Sequence, residues 1–184
     1  MHQVMAGVVA RIEGVIDRIG QFAALLALAI IGLMVCNVLL RYSMSLGAVL
    51  AQELEWHLLA ALILLAMSYA MQRGDNVRVD LFYAKFSDQK KRVIDIVSAL
   101  LTIAIALIMV KLSLAYVDQS FVINEKSPDP GGIAYRWALK SLLPIGYGLL
   151  SLQALGQLLR LIFLHPPQTG ANDQQPMQKE QPRV

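Results

Sequence analysis

The sequence predicts an all-α integral membrane protein with four transmembrane helices, amphipathic helices at the membrane surface and both termini on the cytoplasmic side. Three observations carry this. The 184 residues are 57% hydrophobic and 16% charged, whereas an ordinary soluble domain is roughly 45–50% apolar and 25% charged. The apolar residues gather into four long runs, about 20–40, 54–71, 93–117 and 137–164. The basic residues concentrate in the connections, one of them above all.

Each run reaches the length of about 20 residues that a helix needs to cross roughly 30 Å of hydrocarbon. All four are too long and too evenly apolar for the one-sided helices of a soluble bundle. Backbone in lipid must satisfy its own hydrogen bonds, which makes helix the assignment for each. The first run is not a signal peptide: it exceeds an h-region of about 7–15 residues and ends at Arg41-Tyr42 without a small-residue cleavage site. Cys36, the single cysteine, lies inside it, so no disulfide or cysteine metal site forms within one chain. It reads as a small apolar packing residue.

Orientation follows from Lys and Arg. The connection between the second and third runs carries Arg73, Arg78, Lys85, Lys90, Lys91 and Arg92, whereas the first connection has only Arg41 at its border. The middle loop is therefore placed in the cytoplasm. Four spans put both termini there too, in agreement with Arg11, Arg18 and Arg160. The third connection, with Lys126, Arg136 and Lys140, obeys least, and Glu125 and Asp129 are expected to offset part of its charge. The net charge of +3 is thus a topology signal and not a nucleic-acid signature.

Three further segments surround the 20–164 membrane domain. Residues 1–19 place Val4, Val8, Val9, Ile12, Ile16 and Ile19 near one face, which predicts an amphipathic surface helix running into the first span. After the second span, Gly74 is the expected helix stop and Asp75 or Asn76 a new cap. Val79, Phe82, Tyr83 and Phe86 then share a face of a second surface helix, with Arg78 and Lys85 free for headgroups. Residues 165–184, rich in Pro, Gln and Asn, predict a disordered cytoplasmic tail. Residues 124–132, Asn-Glu-Lys-Ser-Pro-Asp-Pro-Gly-Gly, are a loop by composition. Tyr135 and Trp137 follow it at an interfacial aromatic belt, and Trp56 and Tyr116 lie at comparable depth. Pro144 removes a donor inside the fourth span and frees the Lys140 carbonyl, so a kink is expected there.

Ionisable groups within spans are the usual pointers to chemistry, and this chain has few. Lys111 is the deepest; either it snorkels toward the far surface or it meets an acceptor on a partner helix. Glu53, Glu55 and His57 open the second span. A separation of two residues turns a helix by about 200°, so Glu53 and Glu55 diverge and cannot act as a carboxylate pair. Glu53 and His57 share a face, but catalytic zinc normally takes a third protein ligand. Capping and interfacial roles are the plainer reading. The histidines are His2, His57 and His165, which excludes haem held between paired intramembrane histidines of one chain. Phosphate loops, nucleophile elbows and metalloprotease motifs are missing, as is the internal repeat expected of a self-sufficient transporter. No cofactor, metal or catalytic residue is therefore expected.

Taken together, Gln52-Glu53-Leu54-Glu55-Trp56, Arg73-Gly74-Asp75-Asn76-Val77-Arg78-Val79-Asp80, Glu125-Lys126-Ser127 with Gly131-Gly132, and Pro144-Ile145-Gly146 resemble the small membrane subunit, DctQ type, of tripartite ATP-independent periplasmic (TRAP) transporters. The resemblance runs from the first span to about Arg160, with the motifs in order. It implies a non-enzymatic scaffold subunit of a secondary transporter in the bacterial inner membrane. Its implied partners are a large membrane subunit and a periplasmic solute-binding protein, and the assembly imports an organic acid on a sodium gradient. By the same resemblance Glu53, Glu55, Arg73, Asp80, Glu125 and Pro144 shape the subunit interface or the fixed frame, and Lys111 joins them as an interface candidate from its depth. The Glu-x-Ser, Gly-Gly and Arg-Trp pattern is similar to a branch associated with 2-oxo acids or other monocarboxylates. The competing reading is a stand-alone small transporter or exporter acting as a homodimer, which would need a membrane-embedded carboxylate in the first span; a membrane enzyme would need a polar cluster within the bilayer.

Overall fold

A computed structural model describes residues 2–44, 49–74 and 86–164. The surface helix expected from Val79 to Tyr83, Asp80 with it, and the tail 165–184 lie outside the described residues. Helix α1 spans His2–Met44, α2 Val49–Arg73, α3 Asp88–Val122, α4 Arg136–Lys140 and α5 Leu142–Leu159, followed by a π-helical turn at Arg160–Leu164. No strand occurs among the described residues. Four helical stretches, with α4, α5 and the turn counted as one, are long and apolar enough to cross a membrane.

The surface segment and the first span are one uninterrupted helix of 43 residues, about 64 Å long at 1.5 Å per residue. Part of its early apolar stripe covers protein: Val9, Ile12 and Ile16 are buried while Val4 and Val8 are exposed, and Ile12 lies so close to α5 that a Cβ on Gly156 would come 3.2 Å from it. Further along α1, a Cβ on Gly20 would collide with the Tyr69 ring of α2, so the missing side chain is what lets these helices touch. At the end of α2, Gly74 takes the left-handed φ of +76° and donates its N–H to the Met71 carbonyl at 3.2 Å, as expected of a helix-stopping glycine.

The fourth span is interrupted where the sequence places the kink. Pro144 offers no N–H to the Lys140 carbonyl, and α4 gives way to α5 at Ser141. Just beyond, α5 lies almost flush on α2: a Cβ on Gly146 would come 2.7 Å from the Leu64 carbonyl oxygen.

Helices α1, α2 and α5 pack against one another, whereas α3 rests on α5, α4 and the π-helical turn. The face that α3 turns to α5 carries Ala99, Ala106, Ser113 and Ser120, all buried and seven residues apart. A seven-residue repeat keeps one seam against its neighbour, and small side chains let the backbones come close. Large apolar side chains cover the outer faces of α1 and α3, among them Leu25, Leu28, Leu101 and Ile105. That inverts a soluble protein and suits lipid contact. The molecule has two polar ends: a loop end at 123–135, and a terminal end where α1 begins, α2 stops and the π-helical turn lies.

Candidate functional site

The densest polar cluster is at the loop end, and it begins with Glu53 on the second turn of α2. Its side chain is 5% exposed. One carboxylate oxygen accepts the Ile133 N–H at 2.5 Å. The other accepts the Ser127 hydroxyl and faces the Arg136 guanidinium at 3.4 Å. A carboxylate can accept about four hydrogen bonds, and this one meets donors from the loop and from α4 together.

The loop is shaped to reach it. The Ser127 N–H donates to the Ile133 carbonyl at 3.1 Å, and the Gly132 N–H to the Asp129 carbonyl at 3.0 Å. Gly131 supplies a φ of +82°. A Cβ on Gly132 would come 2.6 Å from a Glu53 oxygen, so the second glycine clears room for the carboxylate. Asn124 and Tyr135 also have positive φ, 47° and 67°. For side chains of this kind that is uncommon backbone, held here by the surrounding bonds.

Glu125 makes a second knot beside the first. It accepts the Ser120 hydroxyl at 2.7 Å and pairs with the Lys140 ammonium, which also lies 3.9 Å over the Tyr116 ring. Its backbone carbonyl takes the Arg136 N–H at 3.2 Å. The Lys140 and Ser120 bonds hold the Glu125 carboxyl below its ordinary pKa of 4.5, against a smaller opposing push from burial. Phe121 and Trp137 close the corner edge to face, 5.4 Å between ring centres. Two of the three basic residues of the third connection are thereby paired: Arg136 is met by Glu53, 83 positions away, and Lys140 by Glu125. Asp129, expected to share that duty, instead folds onto Ser127 through its own N–H.

The other sequence candidates scatter. Glu55 points away from Glu53, as the helical turn requires, and accepts the Asn37 amide of α1 at 3.1 Å. Arg73 pairs with Asp17 at 3.2 Å and stacks on Tyr69. Lys111 is exposed on α3, and Pro144 marks the break in the fourth span. The His57 ring donates from Nδ1 to the Glu53 carbonyl at 2.7 Å, while its Nε2 is buried without a partner. It borders a pocket of about 460 Å³ with Trp56, Tyr116, Arg136 and Lys140. Sequence reading missed Asn37, the buried Gln153, and the pairs at the terminal end. There Arg160 meets Glu13 at 3.0 Å, Gln72 donates to the Glu13 carbonyl, and Arg92 donates to the Leu161 carbonyl at 2.8 Å. The available signal for Asn37 and Gln153 was the rarity of such side chains: each is an amide inside an otherwise apolar run.

This geometry joins segments. Glu53 and Glu125, the best-placed carboxylates, are both occupied by structural donors, which leaves neither free as a general base. Among the described residues no group of three His, Cys, Asp or Glu side chains could hold a metal ion.

No curated protein sequence matches the chain. The family model for tripartite ATP-independent periplasmic transporters, DctQ component, matches residues 30–164, more than two thirds of the sequence. That stretch takes in the Glu53 and Glu125 knots, the later part of α1 and the other three apolar helices, and the family is a transporter component and not an enzyme. A multi-pass membrane protein whose polar groups tie its own helices together, this chain belongs to the DctQ family, the small component of TRAP transporters.

Proposed function

We propose that the chain is a static frame for the large membrane subunit of a TRAP importer. The assembly works with a periplasmic solute-binding protein and carries an organic acid inward on a sodium gradient. It sits in the inner membrane of a bacterium, with the terminal end in the cytoplasm and the loop end in the periplasm. The positive-inside count supports that orientation: the connection between the second and third apolar runs carries Arg73, Arg78, Lys85, Lys90, Lys91 and Arg92, against Arg41 in the first connection and Lys126, Arg136 and Lys140 in the third. On this reading Glu53, Glu125 and Pro144 set the frame's shape, Arg73 ties its cytoplasmic end, and Glu55 steadies the α1–α2 contact.

One observation carries the proposal: the Glu53 and Glu125 carboxylates are spent on fixing a loop to two helices. A transporter acting alone needs polar groups free to bind and release a solute near the bilayer centre. Proteoliposomes test it. Uptake of a carboxylate on a sodium gradient is expected only when this chain, the large subunit and the binding protein are all present; transport by the isolated chain would refute it.

A further inference from the structure

Lys111 is the one charge on α3 between Asp95 and Asp118. It is exposed on the apolar surface, and among the described residues no acceptor meets its ammonium. Asp118 is seven positions further on, about 10 Å along the axis at 1.5 Å per residue, and both side chains are exposed. Cations that rest against the bundle are treated differently: Arg136, Lys140, Arg160 and Arg92 each reach a carboxylate or a carbonyl.

Snorkelling is the simplest way for such a lysine to escape lipid. The helix direction opposes it. Every Cα–Cβ bond in an α-helix tilts toward the N-terminus, and Lys111 lies nearer the C-terminal end of α3, 11 residues before Val122. Its stem therefore sets out toward the middle of the apolar stretch, and the ammonium must double back to reach water. This argument holds whichever way the chain is oriented.

The surroundings suit a second helix. α3 leans on α5 along its Ala99–Ser120 seam and has its opposite flank open. Ala104 and Ala115, both exposed, stand on the Lys111 side of that flank and would let a neighbour approach closely. The outer face of α1 has no ionisable residue other than Cys36 between Arg18 and Arg41. It needs nothing but lipid.

We propose that the open flank of α3 around Lys111 is where the large membrane subunit docks, and that its docking helix offers a carboxylate to the Lys111 ammonium. This rests on the small-subunit reading of the chain. Charge complementarity selects the occupant: a second copy of the same flank would bring lysine against lysine, and lipid chains offer no acceptor.

Site-specific photocrosslinking in native membranes tests the surface. A benzophenone side chain at Ile108 or Leu114 is expected to capture a large hydrophobic chain, and one at Leu28 or Val35 of α1 to capture lipid. Capture of that chain from α1 alone would overturn the docking surface while leaving the scaffold reading intact. Failure at all four positions, with no large chain copurifying, would remove both. The charge is tested separately: Lys111→Glu should lower copurification of the large subunit by about tenfold or more, the effect of opposing two buried like charges, while Lys111→Arg preserves it. If Lys111→Met and Lys111→Glu both copurify as the unaltered chain does, the ammonium faces lipid and the proposal is wrong. Helical circular dichroism of each variant in detergent separates lost docking from lost folding.

Discussion

The two polar ends of the molecule use the same kinds of residue in different ways. At the terminal end, Arg73 and Asp17 meet with side chains 54% and 39% exposed, and Arg160 is equally open beside Glu13. At the loop end, the Glu53 side chain is 5% exposed and Lys140 15%, and each of the two carboxylates there is met by a hydroxyl donor as well as by its opposite charge. Water competes for the first pair and screens it, while the second cluster has exchanged water for fixed partners. Open pairs steer helices loosely; an enclosed cluster decides where a loop must sit.

Replacing Glu53 should widen that contrast most. Glu53→Ala strands the Arg136 guanidinium, the Ser127 hydroxyl and the Ile133 N–H together, and it is expected to give the largest fall in melting temperature in detergent of any single change at either end. Gly132→Ala comes next: its methyl group would press on the same carboxylate, with an overpacking cost of about 1–3 kcal/mol read by denaturation in mixed micelles. Because this change leaves every charge in place, an effect equal to that of Glu53→Ala would show that fit matters there as much as charge.

Acid sharpens the comparison further. The Glu125 pKa is lower in the folded chain than in the unfolded one, so its contribution is fully present above 4.5 and is lost as pH falls through the depressed folded value. A melting-temperature series into acid should decline less steeply for Glu125→Gln than for the unaltered chain; identical slopes would mean the Lys140 bond adds nothing. Smallest of all is Arg73→Ala, expected to cost about 0–1 kcal/mol, as exposed ion pairs do. A double-mutant cycle with Asp17→Ala measures it, and a coupling as strong as that at the loop end would make the two ends alike.

The hydrophobic architecture was legible because its signal is local and repetitive. Runs of apolar residues mark α2 and α3 within a few positions, Gly74 and Pro144 punctuate the helices as expected, and the turn formers of 124–132 give the loop. The polar frame was not legible to the same degree. Glu53 stood out as a charge at the start of a span, yet nothing in its neighbourhood names Ser127, Ile133 or Arg136, which the chain brings in from 74 to 83 positions away. Arg136 stands out in the sequence as an awkward charge in the topology count and as part of the Arg-Trp pattern, neither of which points to Glu53. The full extent of α1 was hidden for another reason: the first 19 residues are amphipathic, a pattern that suits a membrane surface and a protein groove equally well.

The seam of alanines and serines on α3 bears on how this helix is located. Side chains so slight bring two backbones together but interlock poorly, so the seam fixes distance without fixing register along the shared axis. Register falls to pins outside it, the Arg92 bond to the Leu161 carbonyl at one extremity and the Ser120–Glu125–Lys140 link at the other. A helix pinned at both tips across a smooth middle owes its axial placement to those few polar bonds.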